Sequence, residues 1–166
     1  MLENIRPHRI ITRLVDIDCD ELAARGIRGV LLDLDNTLTP WRSIVIAPDV
    51  ERWVGRLRQA GLTACIVSNA ATARRVRPVA ERLGLPWVTR ALKPLRRGFL
   101  RGMRLMGTTP DTTAMVGDQL FTDIYGANRL SLYIILVDPL SPREALLTKL
   151  LQRPLERLLG RIAKQP

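Results

Sequence analysis

The run Val30-Leu31-Leu32-Asp33-Leu34-Asp35-Asn36-Thr37-Leu38-Thr39 feeds an apolar stretch into two carboxylates and a threonine. In extended chain, residues two apart project to the same side, which puts Asp33 and Asp35 about 6–7 Å apart. Carboxylates that close repel one another unless a cation lies between them or one keeps a proton, and either condition makes them chemically useful. Three further segments carry reactive groups at comparable places. Thr63-Ala64-Cys65-Ile66-Val67 runs into Ser68-Asn69, a hydroxyl followed by an amide. Lys93-Pro94 holds one of only three lysines in a chain whose positive charge is otherwise arginine. Ala114-Met115-Val116 leads into Gly117-Asp118 and then Asp123. Singly, each has an ordinary explanation: an Asp-x-Asp-Asn turn closes a strand, a lone lysine is solvated, and a Ser or Asp after a strand caps the next helix. Their order, with each group at the end of an apolar run or in a loop, points to one site.

Positioning these groups requires strands whose carboxyl ends lie side by side. The hydrophobic pattern and its Gly and Pro punctuation predict helices over residues 20–25, 50–60, 71–83, 96–106 and 122–130, with strands over 29–34, 62–67, 87–89, 113–116 and 132–137. Pro78 is expected to kink the third helix or restart it, and Thr122 or Asp123 to cap the fifth. Strand and helix alternate, so the fold class is α/β, a doubly wound parallel sheet with helices on both faces. Ligands of such sheets bind in the crevice beyond the strand carboxyl ends, where every candidate residue falls.

With 166 residues the chain reads as one domain, large enough to bury about two-thirds of its unfolded surface. A short lead (1–28) precedes the first core strand, and a basic tail (142–166) follows the last. Cys19 and Cys65 are too few for a disulfide framework, which makes a reducing cytoplasmic setting the expectation. The first residues lack the apolar core of a signal peptide, and the longest apolar run, 132–137, is too short to span a bilayer. A formal charge of +10 and a pI of about 11.1 favour anionic partners: nucleic acid, acidic lipid or a phosphorylated substrate. Genome composition accounts equally well for part of that arginine excess.

Asp33-x-Asp35-x-Thr37, then Ser68, Lys93 and Gly117-Asp118-x-x-x-x-Asp123 resemble the four signatures of the haloacid dehalogenase (HAD) superfamily of phosphohydrolases, in their order. The resemblance implies a HAD-like, Rossmann-like fold. The 33 positions from Asp35 to Ser68 and the 25 from Ser68 to Lys93 leave no room for a cap domain. A closer likeness, over most of the chain, is to the YqeG-type class IIIA phosphatases, related to mitochondrial phosphatidylglycerophosphate phosphatases. It rests on Leu32-Asp33-Leu34-Asp35-Asn36-Thr37-Leu38 with Trp41, on Ile66-Val67-Ser68-Asn69, on Lys93-Pro94, and on Val116-Gly117-Asp118-Gln119-Leu120-Phe121-Thr122-Asp123. The chain departs from the group at Ala70, where a second Asn is expected.

This resemblance implies Asp33 as nucleophile, forming an aspartyl-phosphate, and Asp35 as general acid and then base. It implies Lys93, the Ser68 hydroxyl and the Asn69 backbone as the holders of phosphoryl oxygens. Mg²⁺ is the implied cofactor, bound by the Asp33 carboxylate, the Asp35 backbone carbonyl and Asp118. Asp123 is either a further ligand or an outer anchor for Lys93 or a metal-bound water. Thr37 orients the first loop. His8 receives no role, and Trp41 is expected to pack rather than flank the site mouth.

In the tail, Leu151, Leu155, Leu158, Leu159 and Ile162 fall on one side of a helix and Arg153, Arg157, Arg161 and Lys164 on the other, with Pro154 interrupting. Such a helix could lie on an anionic membrane or pack on the domain. The resemblance to phosphatidylglycerophosphate phosphatases makes a phosphorylated substrate, that lipid first, the expected partner. Peripheral contact at the inner face of the membrane is compatible with it, and no obligate protein partner is expected. The rival readings are a phosphatase of polynucleotide ends or phosphosugars, a phospho-Asp signalling module, and an RNA-associated protein. Asp35 argues against the signalling module, which needs no acid two residues after its phospho-acceptor.

Overall fold

The computed structural model describes residues 6–141. Six strands form one sheet: β1 (Arg9–Ile11), β2 (Gly29–Leu32), β3 (Thr63–Val67), β4 (Trp87–Val88), β5 (Thr113–Gly117) and β6 (Tyr133–Val137). All pairings are parallel and the order is β1-β6-β5-β2-β3-β4. The chain therefore winds outward from β2 in one direction through β3 and β4, and in the other through β5 and β6. The crevice where the winding reverses opens at the end of β2.

Alternation along β2 builds two cores. Val30 and Leu32 face the side covered by α1 (Cys19–Ala24), α2 (Pro48–Gln59) and α3 (Ala73–Leu83), whereas Leu31 faces α4 (Arg96–Met106) and α5 (Gly126–Asn128). Such a strand, buried on both faces, reads as a continuous apolar run, which is what makes it legible in sequence. Helix α4 lies close on the sheet: a Cβ at Gly102 would come within 2.6 Å of Leu31 and 2.9 Å of Val67. No cap domain is present among the described residues, and no helix among them is long and apolar enough to cross a membrane.

The structure differs from expectation in several places. The lead holds a strand, β1, and His8 beside it is tied down: its Nδ1 accepts from the Ile134 N–H at 3.0 Å and its ring lies against Tyr133. Helix α3 runs through Pro78 without a break. The proline withholds an N–H from the carbonyl of Arg74, and both residues are exposed, so water can satisfy that carbonyl. In place of one helix over 122–130 there is a π-helical turn, Leu120–Tyr125, and then α5. Neither Thr122 nor Asp123 caps it. Thr122 Oγ1 donates to Gln119 Oε1, and Asp123 Oδ2 accepts from the Gln119 N–H. The amphipathic tail lies outside the described residues.

Candidate active site

Strand β2 ends at Leu32, but the Asp33 N–H still donates to the Val116 carbonyl at 3.0 Å, which fixes Asp33 on the sheet's crest between β2 and β5. The chain then turns back sharply: the Leu38 and Thr39 N–H groups donate to the Leu34 carbonyl, and Asn36 N–H to the Thr39 carbonyl. Asn36 sits at φ 63°, a left-handed conformation that Asn tolerates better than most residues. Asp35 stands at the edge of this turn, half-buried.

Lys93 is delivered from the β4–α4 loop. Asn69, exposed at the tip of β3, clasps its backbone twice, Nδ2 donating to the Lys93 carbonyl (3.1 Å) and Oδ1 accepting from its N–H (2.7 Å). The buried ammonium lies 2.6 Å from Asp33 Oδ1 and 2.7 Å from Asp123 Oδ1. Asp123 Oδ1 is fully buried, and this ion pair with the ammonium holds it there. Asp123 itself crosses over Gly117, where a Cβ would fall 2.3 Å from its Oδ2. Glycine is required there for the last acid to reach the lysine.

Ser68 is buried, and its Oγ accepts from the Ala70 N–H at 3.1 Å, so the hydroxyl proton remains available. Thr37 Oγ1 is 3.5 Å from Asp118 Oδ1, a long contact that places it beside the acidic cluster, where it was expected only to orient the first loop. Ser68, Asn69, Asp33, Asp35 and Lys93 line one open cleft of about 260 Å³. Trp41 lines it too and is exposed, contrary to the expectation that it packs inside.

Arg75 was missed. From the first turn of α3 it grips Asp35 with two hydrogen bonds, Nη1 to Oδ1 (2.5 Å) and Nη2 to Oδ2 (3.0 Å), while the Arg42 N–H donates to Oδ1 at 2.9 Å. Nothing in the local sequence distinguishes this arginine from its neighbours Arg74 and Arg77. The double role of Asn69 was likewise only half foreseen, as a backbone donor.

Residues 41–130 match the family described as haloacid dehalogenase-like hydrolase. The chain is also 31% identical over 159 residues, 96% of its length and 92% of the relative's, to "Probable phosphatase YqeG" of Bacillus subtilis (strain 168). The chain belongs to the HAD-like hydrolases. "Phosphatidylglycerophosphate phosphatase 1, chloroplastic/mitochondrial" of Arabidopsis thaliana is 28% identical over 148 residues, 84% of this chain but 42% of that protein. The chain therefore spans less than half of that relative. Among solved structures, an uncharacterized protein from Listeria monocytogenes serotype 4b superposes with a TM-score of 0.57 at 18% identity, covering 74% of this chain and 99% of the other. A hypothetical protein from Xanthomonas campestris gives 0.55 at 19%, covering 76% and 72%. These two likenesses concern the fold.

In this HAD hydrolase the electrostatics of the crest are unbalanced. Carboxylate oxygens of Asp33, Asp118 and Asp123 lie within 4.8 Å of one another, and three carboxylates face one ammonium. Burial pushes Asp33 up to about 7, with Asp123 adding to the shift and Lys93 opposing it. Burial likewise raises Asp118 to about 8, reinforced by Asp33 and Asp123. For Lys93 burial alone would favour the neutral amine, but Asp123 and Asp33 outweigh it and hold the ammonium above its ordinary range. A divalent cation would supply the two missing charges, and an all-oxygen donor set of three clustered carboxylates suits a hard cation. The residues present fit such an ion.

Proposed function

We propose that this HAD hydrolase is a Mg²⁺-dependent phosphomonoesterase, a single capless domain over residues 1–166, and that its substrate is phosphatidylglycerophosphate at the inner face of the membrane. The observation that carries the reading is Lys93, buried between Asp33 and Asp123 with Asp118 alongside, at the one place where the sheet's winding reverses. That arrangement offers a nucleophile, a fixed cation and a set of metal-binding oxygens to a single phosphoryl group.

In the reaction Asp33 attacks phosphorus, its new O–P bond forming as the bond to the leaving alcohol breaks. Asp35 gives the departing oxygen a proton. Water then attacks the aspartyl-phosphate, Asp35 takes that water's proton, and the Asp33 O–P bond breaks to release inorganic phosphate. Both Asp35 oxygens are held by Arg75, so Asp35 must exchange one of those bonds for its proton before acting as acid. Lys93 holds Asp33 and the phosphoryl oxygens, and Ser68 donates its free hydroxyl proton to one of them. Mg²⁺, held by Asp33, the Asp35 carbonyl and Asp118, would neutralise phosphoryl charge. Asp123 acts chiefly as the anchor of Lys93.

Support for the lipid substrate comes from the likeness to the Arabidopsis thaliana phosphatase and from the cleft itself, which is open and, among the described residues, has no cap to enclose a small metabolite. Phosphate release should be compared for phosphatidylglycerophosphate in vesicles, its water-soluble deacylated headgroup, a phosphosugar panel and oligonucleotides phosphorylated at either end, with Mg²⁺ and with EDTA. The expected result is Mg²⁺-dependent turnover of the lipid and of its headgroup. Preference for phosphosugars or oligonucleotides would overturn the substrate, and full activity in EDTA would overturn the metal.

A further inference from the structure

Large apolar side chains left in water are distributed unevenly over this molecule. Trp41, Ile44 and Val45 are exposed in the loop after the Asp33–Asp35 turn, Val45 at 67%. Leu92 and Leu95 flank Lys93 on the β4–α4 loop, Leu92 at 60%, and Phe121 is exposed on the π-helical turn that carries Asp123. All six stand on the three loops that build the catalytic cleft. Leu92 is moreover held at φ 54°, a conformation that disfavours a branched side chain, with no packing gained in return.

The same end of the molecule carries uncompensated positive charge. Arg42, Arg74, Arg90, Arg96 and Arg97 are exposed there, and none pairs with a carboxylate among the described residues. Elsewhere Arg9, Arg13, Arg25, Arg77 and Arg82 are each matched to an acid, while Arg28, Arg52, Arg101 and Arg104 are exposed and, among the described residues, unpaired as well, so what sets this end apart is that its unpaired arginines surround apolar loop tips. Helices α3 and α4 carry arginines in the first turn and no acid there, although a helix N-terminus favours anions; α1 and α2 obey that preference with Asp20, Glu21, Asp49 and Glu51. Arg75 is met by Asp35, which leaves Arg74, Arg96 and Arg97 at these helix ends open to an anion from outside. Among the described residues, exposed acid at this end is confined to Asp138, beyond β6.

We infer that the rim of the catalytic cleft is a membrane-docking surface: its apolar loop tips enter the outer part of an anionic phospholipid bilayer while the surrounding arginines meet the lipid phosphates. Apolar tips ringed by cations match the layering of such a surface, hydrocarbon below and negative charge above. Docked this way, the cleft opens onto the headgroup layer and a phosphomonoester need not leave the bilayer to reach Asp33. The inference rests on the reading of the site as a phospholipid phosphatase, and it differs from any contact made by the tail.

Trp41 provides a direct readout, because Trp53 is fully buried and Trp87 is half-buried. The full chain is mixed with phosphatidylglycerol or phosphatidylcholine vesicles bearing brominated acyl chains, and tryptophan emission is followed. Quenching is expected with phosphatidylglycerol, to weaken as salt rises, and to vanish in Trp41→Phe. The triple variant Ile44→Ser, Val45→Ser, Leu95→Ser should partition onto these vesicles roughly tenfold or more weakly. Its hydrolysis of the soluble headgroup should be unchanged. Ile10→Ser with Leu105→Ser, equally exposed but away from the rim, should bind as the wild type does. Absent quenching, with the triple variant sedimenting like wild type, overturns the docking even if the headgroup is hydrolysed. Quenching without hydrolysis of lipid or headgroup leaves the docking standing and overturns the substrate.

Discussion

Two clefts of about 260 Å³ lie at opposite ends of the same sheet. The one at the carboxyl ends is lined by Asp33, Asp35, Ser68 and Lys93; the other, at the amino ends of β3 and β4, by Val54, Leu57, Leu62, Leu85 and Met106. Its one charged side chain, Arg58, donates to the carbonyls of Leu83 and Gly84 and so finishes the C-terminus of α3. At that end polar groups are consumed by the fold. At the other end, charged side chains from separate loops are paired with one another, Lys93 with Asp33 and Asp123 and Asp35 with Arg75. Volume does not separate a site from a packing gap, whereas a cluster of charges with more carboxylates than cations at its centre does.

If that distinction is correct, changes at the two ends should fail in different ways. Asp33→Asn should lower turnover by roughly 10³-fold or more while the melting temperature holds, because the nucleophile goes and a buried charge with it. Phosphate release alongside circular dichroism checks this, and substantial activity in folded variant protein would remove the covalent mechanism. Lys93→Met strikes both properties. Two buried carboxylates lose their counter-ion, which should cost about 3–5 kcal/mol in denaturant unfolding and about 10²–10³-fold in kcat. Leu57→Ala, in the apolar cleft, should cost about 2–5 kcal/mol and leave kcat of the folded fraction near wild type. A large kcat loss there would break the contrast.

The fourth expectation concerns pH. Asp33 and Asp118 ionise near 4 when unfolded but only near 7 and 8 when folded, so the folded protein retains their protons over that interval. Their contribution to stability is present below about pH 4 and is lost as pH rises toward 8 in metal-free protein. The elevated Lys93 keeps its charge throughout that range. Added Mg²⁺ should therefore raise the melting temperature more at pH 8 than at pH 5. An equal effect at both would argue against metal at these acids. Smallest of all, Arg75→Gln should change stability by less than about 1 kcal/mol, since the pair with Asp35 is partly exposed. It should lower kcat roughly tenfold by loosening Asp35. Arg75→Lys should recover only part of that rate, because one ammonium cannot replace a two-pronged grip.

The parts visible in sequence were those whose patterns are local. Buried on both faces, β2, β3 and β5 announce themselves as apolar runs, and their reactive groups come at fixed offsets after them. Strand β1 has three residues, two of them exposed, too little alternation to read. The π-helical turn shares enough of the helical spacing to be read as helix. Arg75 meets Asp35 across 40 positions of chain, and Asn69 meets Lys93 across 24, so neither pairing leaves a local mark. Pro78 does not restart α3, because a prohibition on helical proline weakens where the orphaned carbonyl faces water.

Strand β1 pairs with β6, Arg9 opposite Ile135. A ribosome makes β1 first, yet the edge it needs is made among the last of the described residues. Throughout most of synthesis the lead must wait while β2, β3 and β4 can already assemble behind it. When β6 arrives, its far edge is open hydrogen-bonding template until β1 closes on it, and a second nascent chain could take that place instead. The late meeting of an early strand with a distant partner thus replaces an edge of five residues with one of three, a shorter template for intermolecular pairing.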